Sequence, residues 1–419
     1  MESAIIYEME RIILHCDLNN FYASVETLLN PEFKDKPIAV CGDPKLRHGV
    51  VLAKSYPAKA CGVKTGDTVI EARKKCPDII FTPPHHSLYA DYSRKVFEIY
   101  TRFTDRVEPF GLDECWLDVT ASTKLFGDGK TIADTIRQTI KTEIGLTASV
   151  GVSFNKIFAK LGSDMKKPDA TTLITRENFR EKIWHLNANE LIMIGANTYK
   201  KLNDLNIFTI GDLANADVSL MKKNFGIVGE NLVKNARGED SSPVAFQDDY
   251  TPPKSIGHGT TLKDDVHSFD EIKPVIVALS EMVATRLRRH NMLTNGIHLH
   301  IKDNTFNGIG KQVLLPYYTD SATDISDATC DLFQKIYNFN KQLPVRMISV
   351  SVYNLTERDE GVQASMFEHD KLSKLEHSID KIRERYGYGA LKRGILLENT
   401  FLCDNLRPFD DDEKPFRHK

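Results

Sequence analysis

The chain has 419 residues, of which 41% are hydrophobic and 27% are charged. This length suggests about three domains, and the composition is that of a globular protein rather than a disordered polymer. Lysine and arginine number 55 against 58 aspartates and glutamates, and the resulting net charge of −3 leans against a nucleic-acid binder. That argument has little weight, because binding depends on where the charges lie.

Features of targeting and secretion are not expected. No apolar run approaches the roughly 18 residues that a membrane span needs. The first ten residues contain three glutamates and no basic cluster, unlike a signal or transit peptide. The seven cysteines form an odd set without a C-x-x-C pair, which disfavours a disulfide scaffold or a cysteine-based zinc module. We therefore expect a cytoplasmic protein without a membrane partner.

Hydrophobic periodicity predicts alternating strands and helices in the first 170 residues. The predicted strands cover 11–15, 38–41, 50–54, 147–153 and a pair around 110–118. The predicted helices cover 20–29, 56–61, 69–75, 88–103, 132–144 and 155–166. The long insert after the first strand and the turn-linked strand pair favour a mixed sheet with helices on one face.

The second half divides into a helical region and another α+β unit. Residues 176–238 are predicted to be helical, with similar pieces at 193–195 and 226–229, and 241–253 is predicted to be a linker. A helix is predicted to begin at Pro274, a favoured first position. Further elements are predicted as strands at 297–301 and 345–353, a helix at 325–336, and one helix in a charged tail that starts at 357.

Three acidic residues occupy positions where carboxylates are costly. Asp17 ends a buried predicted strand, and Asp113 and Glu114 lie in a short polar break within an apolar hairpin. Buried carboxylates need a neutralising partner, and oxygen ligands at strand ends suit Mg²⁺, one or two ions of which assist phosphoryl transfer. Spacing alone leaves another interpretation open, in which Asp113 and Glu114 form a solvated β-turn and Asp17 is a turn residue.

Several motifs that occur in one order favour the metal-site interpretation over the solvated turn. They are RIILHCDLNNFYASVE at 11–26, VVLAKSYPAKACGV at 50–63, GLDECWLD at 111–118, SFNKIFAKLGSDMKKP at 153–168, and the later IGANTYKKLNDLNIFTIGDL and KSIG. Together they closely resemble the Y-family, or translesion, DNA polymerases, particularly the DNA polymerase IV type. The resemblance covers about the first 355 residues.

The resemblance implies a multidomain α+β protein with the right-hand polymerase fold. The implied parts are a mixed-sheet palm at 1–20 and 85–175, small fingers at 21–84, a helical thumb with helix-hairpin-helix motifs at 176–240, a linker at 241–254, an α+β little finger at 255–356, and a tail with a sliding-clamp-binding motif at 357–419. It also implies error-prone, template-directed DNA synthesis past damaged bases, with primer-template DNA and dNTPs as substrates.

The resemblance also assigns roles to individual residues. Asp17, Asp113 and Glu114 match the family's catalytic metal ligands for two Mg²⁺ ions, with the Leu18 carbonyl as a backbone ligand. Other positions match the nucleotide site. Tyr22 would reject a ribose 2′-OH. The triphosphate would be contacted by Tyr56, Lys59 and Lys167 and by the amides of Asn20 and Phe21. From the residues alone, Tyr22 could instead be a core residue and the two lysines could be solvated.

Four positions depart from the family pattern. Asn19 stands where many relatives have Asp, and Lys59 where they have Arg, which removes a bidentate fork. Gly111 replaces a common Ser, and Met193 replaces a Gly of the first hairpin, so that hairpin is a degraded copy.

Further positions match DNA and protein contacts. The hairpin glycines Gly195, Gly226 and Gly229 would offer backbone amides to DNA phosphates. Lys254, Arg286, Arg288 and Arg289 are predicted backbone contacts, with a solvated helix end as the alternative. Gln363, Met366 and Phe367 belong to a QASMF pentapeptide that resembles the Q-x-x-[LM]-F peptides binding the bacterial sliding clamp, with the two apolar side chains entering a pocket.

Two other patterns are set aside. Gly129-Lys130-Thr131 resembles the end of a P-loop, but Lys124 stands where that pattern needs Gly. His298 and His300 share a strand face without an evident third ligand, so a zinc site is not expected.

We therefore predict a translesion DNA polymerase, expected to be a monomer. Two alternatives from other classes remain: a two-metal nucleotide cyclase or nuclease on a similar palm, and a non-catalytic DNA-repair adaptor that binds duplex through its hairpins.

Overall fold

The computed structural model describes residues 10–43, 49–249, 252–358 and 369–397. Within these ranges the chain forms two compact units, one containing 10–42 and 50–249 and the other 252–358 and 369–397. Both units combine helices with sheets, so the α+β fold class is confirmed. None of the helices described here has the length and apolar character to cross a membrane.

The first unit contains two sheets and a series of helices. Its strands are β1 (Ile13–Leu18), β2 (Ile38–Cys41), β3 (Val51–Lys54), β4 (Ile80–Thr82), β5 (Val107–Pro109), β6 (Glu114–Asp118), β7 (Ala148–Ser153) and β8 (Thr171–Leu173). Its helices are α1 (Phe21–Leu29), α2 (Tyr56–Ala60), α3 (Val69–Lys75), α4 (His86–Tyr100), α5 (Thr123–Phe126), α6 (Gly129–Thr139), α7 (Lys156–Met165), α8 (Phe179–Ile183), α9 (Ala196–Asp204), α10 (Ile210–Asn215), α11 (Val218–Phe225) and α12 (Ile227–Arg237).

The larger sheet is mixed, as predicted. Its strand order is β5-β6-β1-β7-β8, in which only β7 and β8 run parallel. The smaller sheet has the order β3-β2-β4. Helices α4 and α6 cover one face of the larger sheet, where Leu14 and Cys16 of β1 join the core. The prediction of helices on one face is wrong, because α7 packs on the other face, with Ala159 against Ile13.

Two glycines explain how α7 reaches that face. A Cβ added to Gly151 of β7 would lie 1.9 Å from the carbonyl oxygen of Ala159, and one added to Gly162 would lie 3.1 Å from the Gly151 Cα. The helix backbone therefore rests directly on the strand, an approach that side chains at these two positions would prevent. This contact brings the C-terminal part of α7 beside the end of β1.

Residues 176–238 are helical, as predicted, through α8 to α12. Their core contains residues from each helix together with Phe154 and Phe158. Thr209 begins α10 with a capping box, since its hydroxyl accepts from the Asp212 N–H while the Asp212 carboxylate accepts from the Thr209 N–H.

The second unit is a four-stranded antiparallel sheet with helices. Its elements are β9 (Ser255–Val266), α13 (Phe269–Arg289), β10 (Met292–Asp303), β11 (Gly308–Thr319), α14 (Ala322–Ile336), β12 (Val345–Glu357) and α15 (His369–Tyr386), and its strand order is β11-β10-β12-β9. The buried side chains of β10 pack with α13 and α14 in one core. Neither β9 nor β11 was predicted from the sequence.

The predicted start of α13 at Pro274 is wrong. The helix begins at Phe269, because the Ser268 hydroxyl accepts a hydrogen bond from the Glu271 N–H. Pro274 therefore lies inside the helix, where it removes one backbone hydrogen bond near the N-terminus.

Helix α15 and the residues after it pack on the second unit through buried ion pairs. Arg288 of α13 pairs with Glu376 at 2.7 Å and with Asp380 at 2.6 Å. Glu281, also on α13, pairs with Arg383 and Arg393. Because both signs are buried together, these charges neutralise each other within the unit.

Candidate active site

The three predicted acidic residues meet at one end of two adjacent strands. The antiparallel register of β1 and β6 places Asp17 opposite Glu114, and the Leu18 N–H donates to the Asp113 carbonyl oxygen at 2.9 Å. Asp17 is only 5% exposed. The interpretation of Asp17 as a solvated turn residue therefore does not fit, because its carboxylate is buried beside two others.

Two lysines from the α7 side face these carboxylates. Lys167 donates to Asp17 Oδ2 at 2.7 Å, and Lys160 Nζ lies 2.8 Å from Glu114 Oε2 and 3.6 Å from Asp17 Oδ2. Sequence reasoning singled out Lys167 but missed Lys160. Lys160 lies within α7, but Lys167 lies two residues beyond the end of the helix at Met165, so helical spacing could not indicate that the two ammonium groups meet.

His15 is a second residue that sequence reasoning missed. It is fully buried on β1, and its Nδ1 lies 2.8 Å from the Ser163 hydroxyl, which itself donates to the Lys160 carbonyl. Its Nε2 lies 3.3 Å from Glu114 Oε2. Burial lowers the pKa of His15 to about 4. Only its place two residues before Asp17 on the same strand face could have indicated this role.

The carboxylates differ in their affinity for protons. Burial, followed by repulsion from Asp17 and Glu114, raises the pKa of Asp113 to about 6. Burial also raises the pKa of Asp17, against the opposing charge of Lys167. For Glu114, burial is outweighed by hydrogen bonding to His15 and Lys160, so its pKa falls to about 2. Among the residues described, Asp113 has no salt-bridge partner, and negative charge accumulates around it.

This arrangement fits a divalent cation by its chemistry. Hard carboxylate oxygens without a full complement of positive charge are the donors that such cations prefer. Burial, together with repulsion from Asp17 and Glu114, raises the pKa of Asp113, and a bound cation would offset both effects. Across the described parts of the chain, no three His, Cys, Asp or Glu side chains already stand as a ligand set. Lys160 and Lys167 occupy the carboxylate oxygens instead, so binding would require them to exchange partners.

The start of α1 lies next to these carboxylates in sequence. Asn20 precedes the helix with φ 49°, a left-handed conformation, while the Phe21 side chain is buried in the core. Tyr22 is half-buried, and its ring stacks on Tyr89 with centroids 4.0 Å apart and planes inclined by 14°. Core packing alone therefore does not account for Tyr22, because part of its ring remains exposed.

Helix α2 carries the predicted triphosphate contacts. Lys59 is exposed, and its ammonium lies 5.8 Å from the centre of the Tyr56 ring. Burial raises the pKa of Tyr56, on which the charges of Lys167 and Asp17 also act, so the hydroxyl shares their electrostatic environment. Burial and the nearby charge of Lys59 lower the pKa of Lys54, a strand residue that sequence reasoning did not single out.

Two departures from the family pattern have visible consequences. Asn19 is buried, donates to the Ser149 hydroxyl at 3.0 Å and accepts from the Asp169 N–H at 2.8 Å. It thereby anchors the segment that follows Lys167. Gly111 has φ +90°, a left-handed conformation that favours glycine over residues with a Cβ, such as the serine expected from the family pattern.

The helical hairpins expose backbone at their turns. Gly226 has φ +65° between α11 and α12, and a Cβ on Gly229 would lie 2.3 Å from the Met221 carbonyl oxygen. Gly195 precedes α9 without close neighbours, and Met193 adopts φ 74° while 70% exposed. The first hairpin therefore keeps a left-handed turn even though a methionine replaces glycine.

The predicted DNA-contacting residues of the second unit divide into two groups. Lys254 and Arg289 are exposed, while Arg286 is half-buried and donates to the Gly257 carbonyl. Arg288 contradicts the prediction, because its side chain is 4% exposed and is bound by Glu376 and Asp380. Helix periodicity could not reveal this, since the acidic partners lie about 90 residues away. Gln363, Met366 and Phe367 lie outside the described residues.

Three carboxylates beside two lysines at a strand end, next to a helix start, are an arrangement whose chemistry suits phosphoryl transfer on a nucleotide. Known proteins identify the class further. The family described as impB/mucB/samB matches residues 16–164, and its C-terminal domain matches residues 253–366. A solved Y-family DNA polymerase chimera superposes with a TM-score of 0.74 at 25% identity, covering 83% of this chain and 100% of its own.

Full-length relatives agree with these matches. DNA polymerase IV of Acetivibrio thermocellus is 49% identical and that of Moorella thermoacetica 39%, over 94% and 92% of this chain and 99% and 96% of their own. The chain therefore belongs to the Y-family of DNA polymerases. It is a DNA-directed DNA polymerase of the translesion type, as predicted, and neither the cyclase or nuclease nor the adaptor alternative is favoured. Polymerases of this family generally use divalent metals.

Proposed function

We propose that Asp17, Asp113 and Glu114, with the Leu18 carbonyl, hold two Mg²⁺ ions for nucleotidyl transfer from a dNTP to a primer 3′-OH. The bound ions would favour ionisation of the 3′-OH and offset charge on the leaving pyrophosphate. One observation supports this assignment above the others: three carboxylates converge at the ends of β1 and β6, and within the described ranges only two ammonium groups face them.

The remaining site residues bind and select the nucleotide. Lys167, Tyr56 and Lys59 contact the triphosphate, where positive charge stabilises the negative charge that develops during transfer. The N–H groups of Asn20 and Phe21, at the start of α1, bind phosphate oxygens. Tyr22 excludes a ribose 2′-OH by the bulk of its ring. We assign no residue as a general base.

The DNA grip is independent of base sequence. The turn at Gly195 offers a backbone amide to phosphate, and Lys254, Arg286 and Arg289 add contacts to the DNA backbone. Gly226 and Gly229 shape the second turn, and their own N–H groups donate to the carbonyl oxygens of Lys222 and Gly226. Arg288 is not included, because it is buried in ion pairs. An open site of this kind extends primers past damaged bases with low fidelity.

We also propose that Gln363, Met366 and Phe367 bind the bacterial sliding clamp, and that the polymerase is a cytoplasmic monomer. Clamp binding would hold the enzyme on the primer terminus without any change in the chemistry of the site.

Primer extension with Mg²⁺ and all four dNTPs, on intact and abasic templates, tests the assignment of the acidic residues. Asp113→Asn should reduce extension by at least about a hundredfold, while affinity for primer-template stays unchanged. Asp118→Asn is the control, because Asp118 lies at the other end of β6 and accepts from Thr120. Full extension by the Asp113 variant would refute the metal-site assignment. Strand cleavage or a cyclic nucleotide without extension would favour the other two-metal chemistry.

A further inference from the structure

A buried carboxylate lies beneath the ring that we assign to sugar selection. Glu26 is on α1, one turn after Tyr22, and has no solvent exposure. Its Oε1 accepts a hydrogen bond from the Tyr89 hydroxyl at 2.5 Å and one from His85 Nδ1 at 2.8 Å. Its Oε2 is buried and has no hydrogen-bond partner among the described residues.

This arrangement is expensive for stability alone. A buried carboxylate needs hydrogen bonds to both oxygens to offset its lost hydration, and here both donors meet one oxygen. Glu26 does lie near the N-terminus of α4, where an anion is favourable, and that is the purely structural explanation. This explanation does not account for the identity of one donor, the Tyr89 hydroxyl, whose ring stacks against Tyr22.

Tyr89 is the platform on which the Tyr22 ring rests. The two rings are stacked, with centroids 4.0 Å apart and planes inclined by 14°. His86 approaches Tyr22 edge-on at 6.0 Å, and Phe21 lies at 5.6 Å on the other side. Tyr89 itself is fully buried, so its ring has few alternative orientations once its hydroxyl is hydrogen-bonded. The orientation of Tyr22 therefore depends on a ring that Glu26 holds at its hydroxyl end.

We propose that Glu26 is a positioning residue for sugar selection: its hydrogen bond to Tyr89 fixes the platform that keeps the Tyr22 ring against the sugar position of the incoming nucleotide. Glu26 contacts no substrate. The inference rests on the proposed function, since it requires that Tyr22 excludes the 2′-OH. A loose platform lets the Tyr22 ring move aside for a ribonucleotide and leaves a deoxyribonucleotide unaffected.

The test compares kcat/KM for each dNTP and its rNTP in the full-length enzyme. Glu26→Ala and Tyr89→Phe each remove the same hydrogen bond, and each should raise relative rNTP use about 3- to 10-fold, the equilibrium worth of one hydrogen bond. The double variant should be no more permissive than Glu26→Ala alone, because Tyr89→Phe deletes a hydrogen bond that Glu26→Ala has already removed. Glu26→Gln keeps an acceptor oxygen and should stay near the parent value.

Two controls separate this inference from the function on which it rests. Thr27→Ala removes a side-chain hydrogen bond from the next residue of α1 and should lower stability without changing sugar selection. Tyr22→Ala should raise rNTP use more than any other variant. If Tyr22→Ala is permissive but Glu26→Ala and Tyr89→Phe only lower the melting temperature, the positioning role is refuted alone. If Tyr22→Ala leaves selectivity unchanged, the gate assignment fails, and the positioning role fails with it.

Discussion

Replacement of Lys160 by Met should expose the competition between protein cations and metal ions at the carboxylates. Loss of one partner of a buried ion pair costs about 3–5 kcal/mol. The side chains of Lys160 and Glu114 retain 13% and 20% exposure, so solvent screens part of this effect. We expect Lys160→Met to lower the free energy of unfolding of the first unit by about 2–3 kcal/mol in metal-free buffer.

Scanning calorimetry of the full-length protein can measure this change. A loss of that size lowers the melting temperature by about 4–12 °C for a unit of this length. Mg²⁺ should recover much of the loss, because the freed Glu114 binds it more tightly than it does beside Lys160. Lys156→Met is the matched control, since Lys156 pairs with Glu108 at 2.6 Å and is 12% exposed. An equal stabilisation by Mg²⁺ in both variants and the parent would refute the reasoning.

The remaining predictions concern four other parts of the chain. Because the pKa of Asp113 is raised to about 6, protons compete with cations for its carboxylate. The Mg²⁺ concentration that gives half-maximal extension should therefore be constant above about pH 6 and increase below it. A concentration that does not change with pH would contradict this prediction. Tyr22→Ala should increase ribonucleotide incorporation with little loss of dNTP use, as single-nucleotide kinetics would show. Replacing Met366 and Phe367 with Ala should abolish clamp-stimulated synthesis and spare basal activity; if stimulation survives, the peptide is a coincidence. Arg288→Ala should destabilise the second unit, since it removes the ion pair of the buried Asp380 and one of the two ion pairs of Glu376. Arg289→Ala should instead weaken DNA binding with a smaller salt dependence and no change in melting temperature.

The sequence predicted the parts of the site that local pattern determines. Apolar runs place the ends of two strands at Asp17 and Glu114, and the order of motifs identified the family. The pairing of those strands joins residues almost 100 positions apart, and periodicity carries no information on register between distant strands. The fold class followed from the resemblance, whereas the convergence of the three carboxylates depends on the register in which β1 pairs with β6.

The errors have a common physical origin in long-range packing. Periodicity shows that α7 has an apolar side but not which sheet face it meets, and the glycines at 151 and 162 that decide this give no periodic signal. Strands β9 and β11 are interrupted by glycine and polar residues, because one of their faces is exposed. Arg288 is charged and was therefore expected at the surface, yet it is buried because its partners on α15 are buried with it.

Incomplete neutralisation of the carboxylates is itself informative about the site. A third lysine near Asp113 would pair the remaining charge and lower the pKa that burial and repulsion raise, and so would stabilise the fold. It would also place three ammonium groups where divalent cations must bind, and each would have to be displaced. The arrangement with two lysines keeps the carboxylates buried and folded while one of them, Asp113, has no ion-pair partner among the described residues. If stability alone determined the site, a third positive charge would be expected beside Asp113. The lack of that charge among the described residues favours cation binding as the explanation.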